Sequence, residues 1–124
     1  MSRKEERIVV ACGEFDPLDL RELKFLQQCK SMGQWLIVGV QSDWWMMSCR
    51  GGFVQSHETR REIISNVKFV DEVFSFDDSD GTVCQLLKIV KLCYPHAYIT
   101  YVSDEDMHDM PESKIRGITF QTIK

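Results

Sequence analysis

The sequence predicts an α/β fold in which a mainly parallel sheet lies between two helical layers. Three observations carry this. Short β-branched runs such as Arg7–Cys12 (RIVVAC) and Trp35–Val40 (WLIVGV) are apolar at nearly every position, as strands buried on both faces are. Segments with helical spacing separate them, and strand–helix alternation is the pattern of parallel crossovers. A length of 124 residues makes one domain, spanning 1–124, large enough to form a core without metal or disulfide.

Asp19–Met32 places Leu20, Leu23, Leu26 and Cys29 near helical spacing, with Gly33 as C-cap. After the Trp35–Val40 strand, Gln41–Gln55 reads as a loop carrying Trp44, Trp45, Met46, Met47 and a Gly51-Gly52 pair. Ser56 is a plausible N-cap for a helix to about Val67. Glu72–Phe76 reads as the third strand, Asp78–Gly81 as a loop, and Thr82–Leu92 as a helix stopped before Pro95. Ala97–Val102 is the fourth strand, Asp104–Pro111 an acidic irregular stretch, Glu112–Arg116 a helical turn, and Ile118–Ile123 the alternating last strand. The whole is a Rossmann-like three-layer α/β/α arrangement with a five-stranded sheet. Ligands in such sheets sit at the carboxyl ends of the strands. The candidate site therefore comprises 13–22, 41–55 and 103–111.

A net charge of −4 argues against an electrostatic grip on nucleic acid or an anionic membrane. No apolar run reaches the length of a membrane helix, and the charged first residues do not form a signal peptide. Five cysteines without a CxxC pair (Cys12, Cys29, Cys49, Cys84, Cys93) read as reduced thiols used as small hydrophobes, which implies a cytoplasmic setting. There is no Walker A motif and no zinc pattern.

Gly13-Glu-Phe-Asp-Pro-Leu-Asp-Leu-Arg-Glu22 resembles the G-x-F-D-x-x-H-x-G-H signature of cytidylyltransferase-like nucleotidyltransferases, the group of glycerol-3-phosphate cytidylyltransferase and the transferase domain of ADP-heptose synthase. Two further stretches support the resemblance: Met32–Asp43, a glycine, an apolar strand and Ser-Asp; and Thr59-Arg60-Arg61 followed by Phe69-Val-Asp-Glu-Val73. The resemblance implies transfer of a nucleotidyl group from CTP or ATP to a phosphorylated or alcohol substrate, with release of pyrophosphate. It implies a nucleotide site at Gly13, Glu14, Phe15, Asp16, Arg21, Arg50 and Arg60. It also implies a homodimer, and Mg²⁺ as cofactor if the site is active.

Residue by residue, the pattern breaks. Asp19 and Glu22 stand at the two catalytic histidine positions, and Arg21 replaces the glycine between them. The family's late serine-threonine motif has no counterpart. A carboxylate about 4 Å from a phosphate oxygen is repelled by roughly 4 kcal/mol at an effective dielectric of 20. Losing the histidine donor removes a further ~1.5–3 kcal/mol, so the two swaps together cost on the order of 10 kcal/mol. Mg²⁺ held by Asp19 and Glu22 would reverse the sign. A capping box at the helix start explains the same pair without any ligand.

Two functions stay open. One is a nucleotidyltransferase descendant with Arg50 and Arg60 on phosphates. The other is a pseudoenzyme that binds a protein through Trp44–Met47 or a dimer face, since tryptophan and methionine are enriched in interface cores. Arg21 is expected to face the vacated nucleotide space and to pair with Glu14, Asp19 or a carboxylate near Asp104, and Asp16 to bond nearby N–H groups. His57 is expected at the surface. Asp104–Asp109 is read as a solvated acidic loop rather than a metal cluster.

Overall fold

The computed structural model describes residues 6–105 and 110–123. Along the chain run β1 (Arg7–Gly13), α1 (Leu20–Lys30), β2 (Trp35–Val40), α2 (Asp43–Arg50), α3 (His57–Ser65), β3 (Glu72–Phe74), α4 (Cys84–Cys93), β4 (Tyr98–Ser103), a 3₁₀ turn (Pro111–Lys114) and β5 (Ile118–Thr122). The five strands form one sheet in the order β3-β2-β1-β4-β5. Every neighbouring pair is parallel, so the mainly parallel sheet expected from the sequence is wholly parallel among the described residues.

Side-chain alternation along β1 explains the two layers. Ile8 and Val10 face α4 and pack with Leu86, Leu87, Val90 and Ile99. Val9 and Ala11 face the other way, against Leu26 and Cys29 of α1 and Ile64 of α3. All four strand residues are buried, which is why RIVVAC shows no polar alternation. Burial of each such aliphatic side chain stabilises the fold by ~1.5–3 kcal/mol.

Two expectations need correction. The stretch 41–55 is not all loop, because Asp43–Arg50 is helical. Ser42 caps it, its Oγ accepting from the Trp45 N–H at 3.0 Å, and Gly51 closes it with a left-handed φ of 76°. Gly33 is not a C-cap either. Ser31 ends α1 in helical conformation, its N–H donating to Gln27 and Cys29 carbonyls. Gly33 is required by close approach, since a Cβ there would stand 2.6 Å from the Arg7 carbonyl oxygen.

Smaller shifts concern boundaries. The third strand stops at Phe74, and α4 begins at Cys84 without a side-chain cap. All five cysteines are free, but only Cys29 is buried; Cys12 and Cys84 are half-buried, whereas Cys49 and Cys93 are exposed and fill no core space. Among the described residues, no helix is long and apolar enough to cross a membrane.

Candidate functional site

The loops that leave β1, β2 and β4 border a cleft of about 960 Å³ at the carboxyl end of the sheet. Its floor starts where β1 turns into α1. Phe15 holds a left-handed φ of 53° and its side chain is buried under the turn. A Cβ on Gly13 would stand 2.6 Å from the Phe15 ring, so glycine is needed there. Asp16 points away from the cleft's solvent. Its carboxylate accepts from the Val54 and Gln55 amides at 2.8 and 2.6 Å, tying the turn to the segment that leads into α3. The expected bonds of Asp16 to nearby N–H groups are thus made to residues far along the chain.

Asp19 and Glu22 form a complete capping box on α1. Asp19 Oδ1 accepts the Glu22 N–H at 2.8 Å, and Glu22 Oε1 accepts the Asp19 N–H at 3.3 Å. Two amides at this helix start, those of Asp19 and Glu22, are thereby taken by carboxylates of the chain itself, and the same carboxylates put negative charge where an anion would sit. Burial raises the Glu22 acid above its ordinary range, with the Asp19 charge acting in the same direction.

The arginines divide into three roles. Arg50 is exposed and forks onto Glu14, with Nε at 3.1 and 3.0 Å and Nη2 at 2.9 Å from the carboxylate. Glu14 also accepts from the Trp45 indole at 3.4 Å. The fork raises the Arg50 pKa, through the Glu14 hydrogen bond first and its charge second. Arg21 lines the cleft and makes no ion pair among the described residues; the pairing expected for it with Glu14 belongs to Arg50 instead.

Arg60 does not line the cleft, which corrects its expected place on a phosphate. It has 0% exposure. Its guanidinium donates to the carbonyls of Gln55 (2.9 Å), Glu14 (2.9 Å) and Gln41 (2.7 Å) and to Asp43 Oδ1 (2.9 Å). A planar fork suits such a cluster of carbonyls, and its charge is matched by Asp43. Asp43 also accepts the His57 amide at 2.7 Å. His57 itself is half-buried rather than at the open surface. Burial and the Arg60 charge lower its pKa.

Several residues at the cleft carried no sequence signal. Asp78, which does not itself line the cleft, is buried and accepts from the Ser42 amide and hydroxyl at 2.8 and 2.6 Å, anchoring α2. Glu112, only 6% exposed, accepts the Val83 amide at 3.0 Å just before α4. Tyr101 and Cys12 lie below, and burial pushes both acids up, with neighbouring carboxylates adding to the effect. Lys24 joins Arg21 on the α1 side. No signal in the local sequence marks Glu112, because it reaches the cleft only through the pairing of β4 with β5.

Among the described residues, no group of three or more His, Cys, Asp or Glu is placed to hold a metal. Asp19 and Glu22 each commit one carboxylate oxygen to a backbone amide, and no third His, Cys, Asp or Glu among the described residues joins them as a metal-holding group. Residues 106–109 of the acidic stretch lie outside the described residues.

Comparison with known proteins follows the same lines. No family model matches the chain. Over 93 residues it is 34% identical to bifunctional protein HldE of a Nitratiruptor species, covering 73% of this chain and 20% of that protein. Over 65 residues it is 31% identical to glycerol-3-phosphate cytidylyltransferase of Bacillus subtilis (strain 168), covering 52% of this chain and 50% of that enzyme. The chain thus spans half or less of the length of these relatives. A lipopolysaccharide core biosynthesis protein from Thermoplasma volcanium GSS1 shares the fold, with a TM-score of 0.75 at 23% identity over 96% of this chain and 97% of that one. Sheet order, the β1–α1 turn and these similarities agree, and they support a place for the chain in the cytidylyltransferase-like nucleotidyltransferase family.

Proposed function

We propose that this chain is a single-domain nucleotidyltransferase-family protein in which ordinary nucleotidyl transfer is lost and the cleft persists as a binding site. One observation carries the reading: both carboxylates of the Asp19–Glu22 capping box occupy the helix start where the family signature places histidines. Transfer by this family pattern needs donors aimed at developing negative charge. Here the helix start presents acceptors, Arg50 is engaged by Glu14, and Arg60 serves the fold.

The test is pyrophosphate release from CTP or ATP with Mg²⁺, using glycerol 3-phosphate and other phosphorylated or alcohol acceptors. We expect none above a protein-free blank. Release that disappears in Arg50→Ala overturns the reading and restores the chain to the active members of its family.

A second reading is favoured by one observation on α2. Trp44 and Met47 are 53% and 56% exposed and stand one turn apart on α2, and Phe53 and Val54, which follow it in the chain, are exposed too. This apolar face supports a protein contact, either with a second copy or with another protein. Sedimentation should show self-association that is lost in Trp44→Ser/Met47→Ser; a monomer at all concentrations, together with unchanged capture of any partner by the variant, rejects that reading.

A further inference from the structure

We propose that the cleft takes a small organic cation bearing an ammonium group, held by Glu112, Gln41 and the acidic rim in place of a nucleotide's phosphates. The inference rests on the reading that α1 no longer receives a phosphate. It adds the chemical class of the ligand.

Charge comes first. The described residues bordering the cleft include six carboxylates against three cations, and setting aside the Glu14–Arg50 pair leaves five against two. A cleft lined mainly by one sign concentrates counter-ions of the other. A triphosphate is the wrong guest for this lining, and an ammonium is the right one.

Unpaired acceptors are the second and independent observation. Gln41 is 9% exposed and Glu112 is 6% exposed, and both side chains line the cleft. Gln41 Oε1 and Glu112 Oε1 are buried without a hydrogen-bond partner. A buried acceptor left unpaired carries a desolvation penalty, so each is expected to have a donor in the working protein. The terminal torsions of Gln and Glu are soft, so small rotations can turn these oxygens toward the cleft. An ammonium carries three donors and a positive charge, which suits an acceptor of either kind and balances the acidic rim. The Trp45 and Tyr101 side chains in the same wall add aromatic surface suited to a cation. The volume of about 960 Å³ is in the range of small-molecule sites.

The experiment is calorimetric titration of the intact chain with putrescine, with its uncharged analogue butanediol, and with NaCl at matched ionic strength. Saturable heat is expected for putrescine alone. Glu112→Gln should weaken it by about tenfold to a hundredfold, the range for a lost hydrogen bond to a charged group. Glu112 also holds the Val83 amide, so Glu105→Gln on the exposed rim provides a second variant, with an expected loss of about twofold to fivefold. Equal binding of butanediol, a signal reproduced by NaCl, or unchanged affinity in a folded variant overturns the inference. A parallel titration with CTP and Mg²⁺ separates the two readings. CTP that binds and displaces putrescine overturns the premise that α1 no longer receives a phosphate, and the ammonium site with it; loss of transfer is judged separately by pyrophosphate release, and no heat from either ligand overturns only the ammonium site.

Discussion

Asp19 and Glu22 hold each other's backbone: the Asp19 carboxylate accepts the Glu22 amide at 2.8 Å, and the Glu22 carboxylate accepts the Asp19 amide at 3.3 Å. This reciprocal pair occupies two amides of the helix start and places two carboxylates where an anion would otherwise sit. Asp19→Ala should lower stability by ~0.5–2 kcal/mol in denaturant unfolding, whereas Asp19→Asn, which keeps the cap, should stay near the parent. Equal stability of Asp19→Ala and the parent contradicts the capping role.

Arg60 is the structural centre of the loops around the cleft. Arg60→Met leaves the carbonyls of Glu14, Gln41 and Gln55 without their side-chain donor and removes the ion-pair partner of Asp43, which keeps the His57 amide. Losing one partner of a buried charged cluster costs about 3–5 kcal/mol, a large part of the stability of a small domain. Arg60→Lys should recover only part of this, because a point charge cannot span the planar set of acceptors. A loss below about 1 kcal/mol in Arg60→Met, measured by urea unfolding, rules out this role.

His57 makes stability depend on pH. Its folded pKa lies below 6.5 because of burial and the Arg60 charge, so the unfolded chain takes up the proton first as pH falls. Stability from this group is complete above 6.5, is lost as pH drops from there to the folded value, and then levels off. The difference in unfolding free energy between parent and His57→Gln should therefore change between about pH 7 and about pH 5, in favour of the variant at the acid end. A pH-independent difference rejects the assignment. Comparing the two proteins cancels the opposite trend from Glu22, whose raised pKa favours the folded state as pH falls through its own range.

The cysteines should react in order of exposure. Cys49 and Cys93 are open to solvent, whereas burial pushes the Cys29 thiol up to about 12 and shields it. Iodoacetamide followed by peptide mass analysis should show Cys49 and Cys93 modified in the native protein and Cys29 only after unfolding. Early modification of Cys29 contradicts the packing of α1.

Local patterns were legible in the sequence, and long-range ones were not. The strands Arg7–Gly13 and Trp35–Val40 follow from unbroken apolar runs, and the caps Asp19 and Ser56 from side chains that reach amides only three residues ahead. Helix α2 is hidden in the sequence because tryptophans, methionines and a glycine pair suggest irregular chain, although Ser42 and Gly51 cap its two ends. The likeness of Arg60 to a phosphate-binding arginine could not reveal its burial. Its partners lie 5 to 46 residues away, and three of them are carbonyls whose direction is set by neighbouring loops.

Residue order alone was enough to specify the parallel α/β architecture, the family resemblance and the acidic substitution at the helix start, since each depends on residue type and short spacing. Packing in three dimensions settled which charges face the cleft and which are consumed by the fold. Glu14 takes Arg50, backbone carbonyls and Asp43 take Arg60, and Glu112 arrives through strands β4 and β5. Hydrogen bonds and ion pairs act over a few ångströms, so they depend on how distant segments come together. Separation along the chain does not specify that distance.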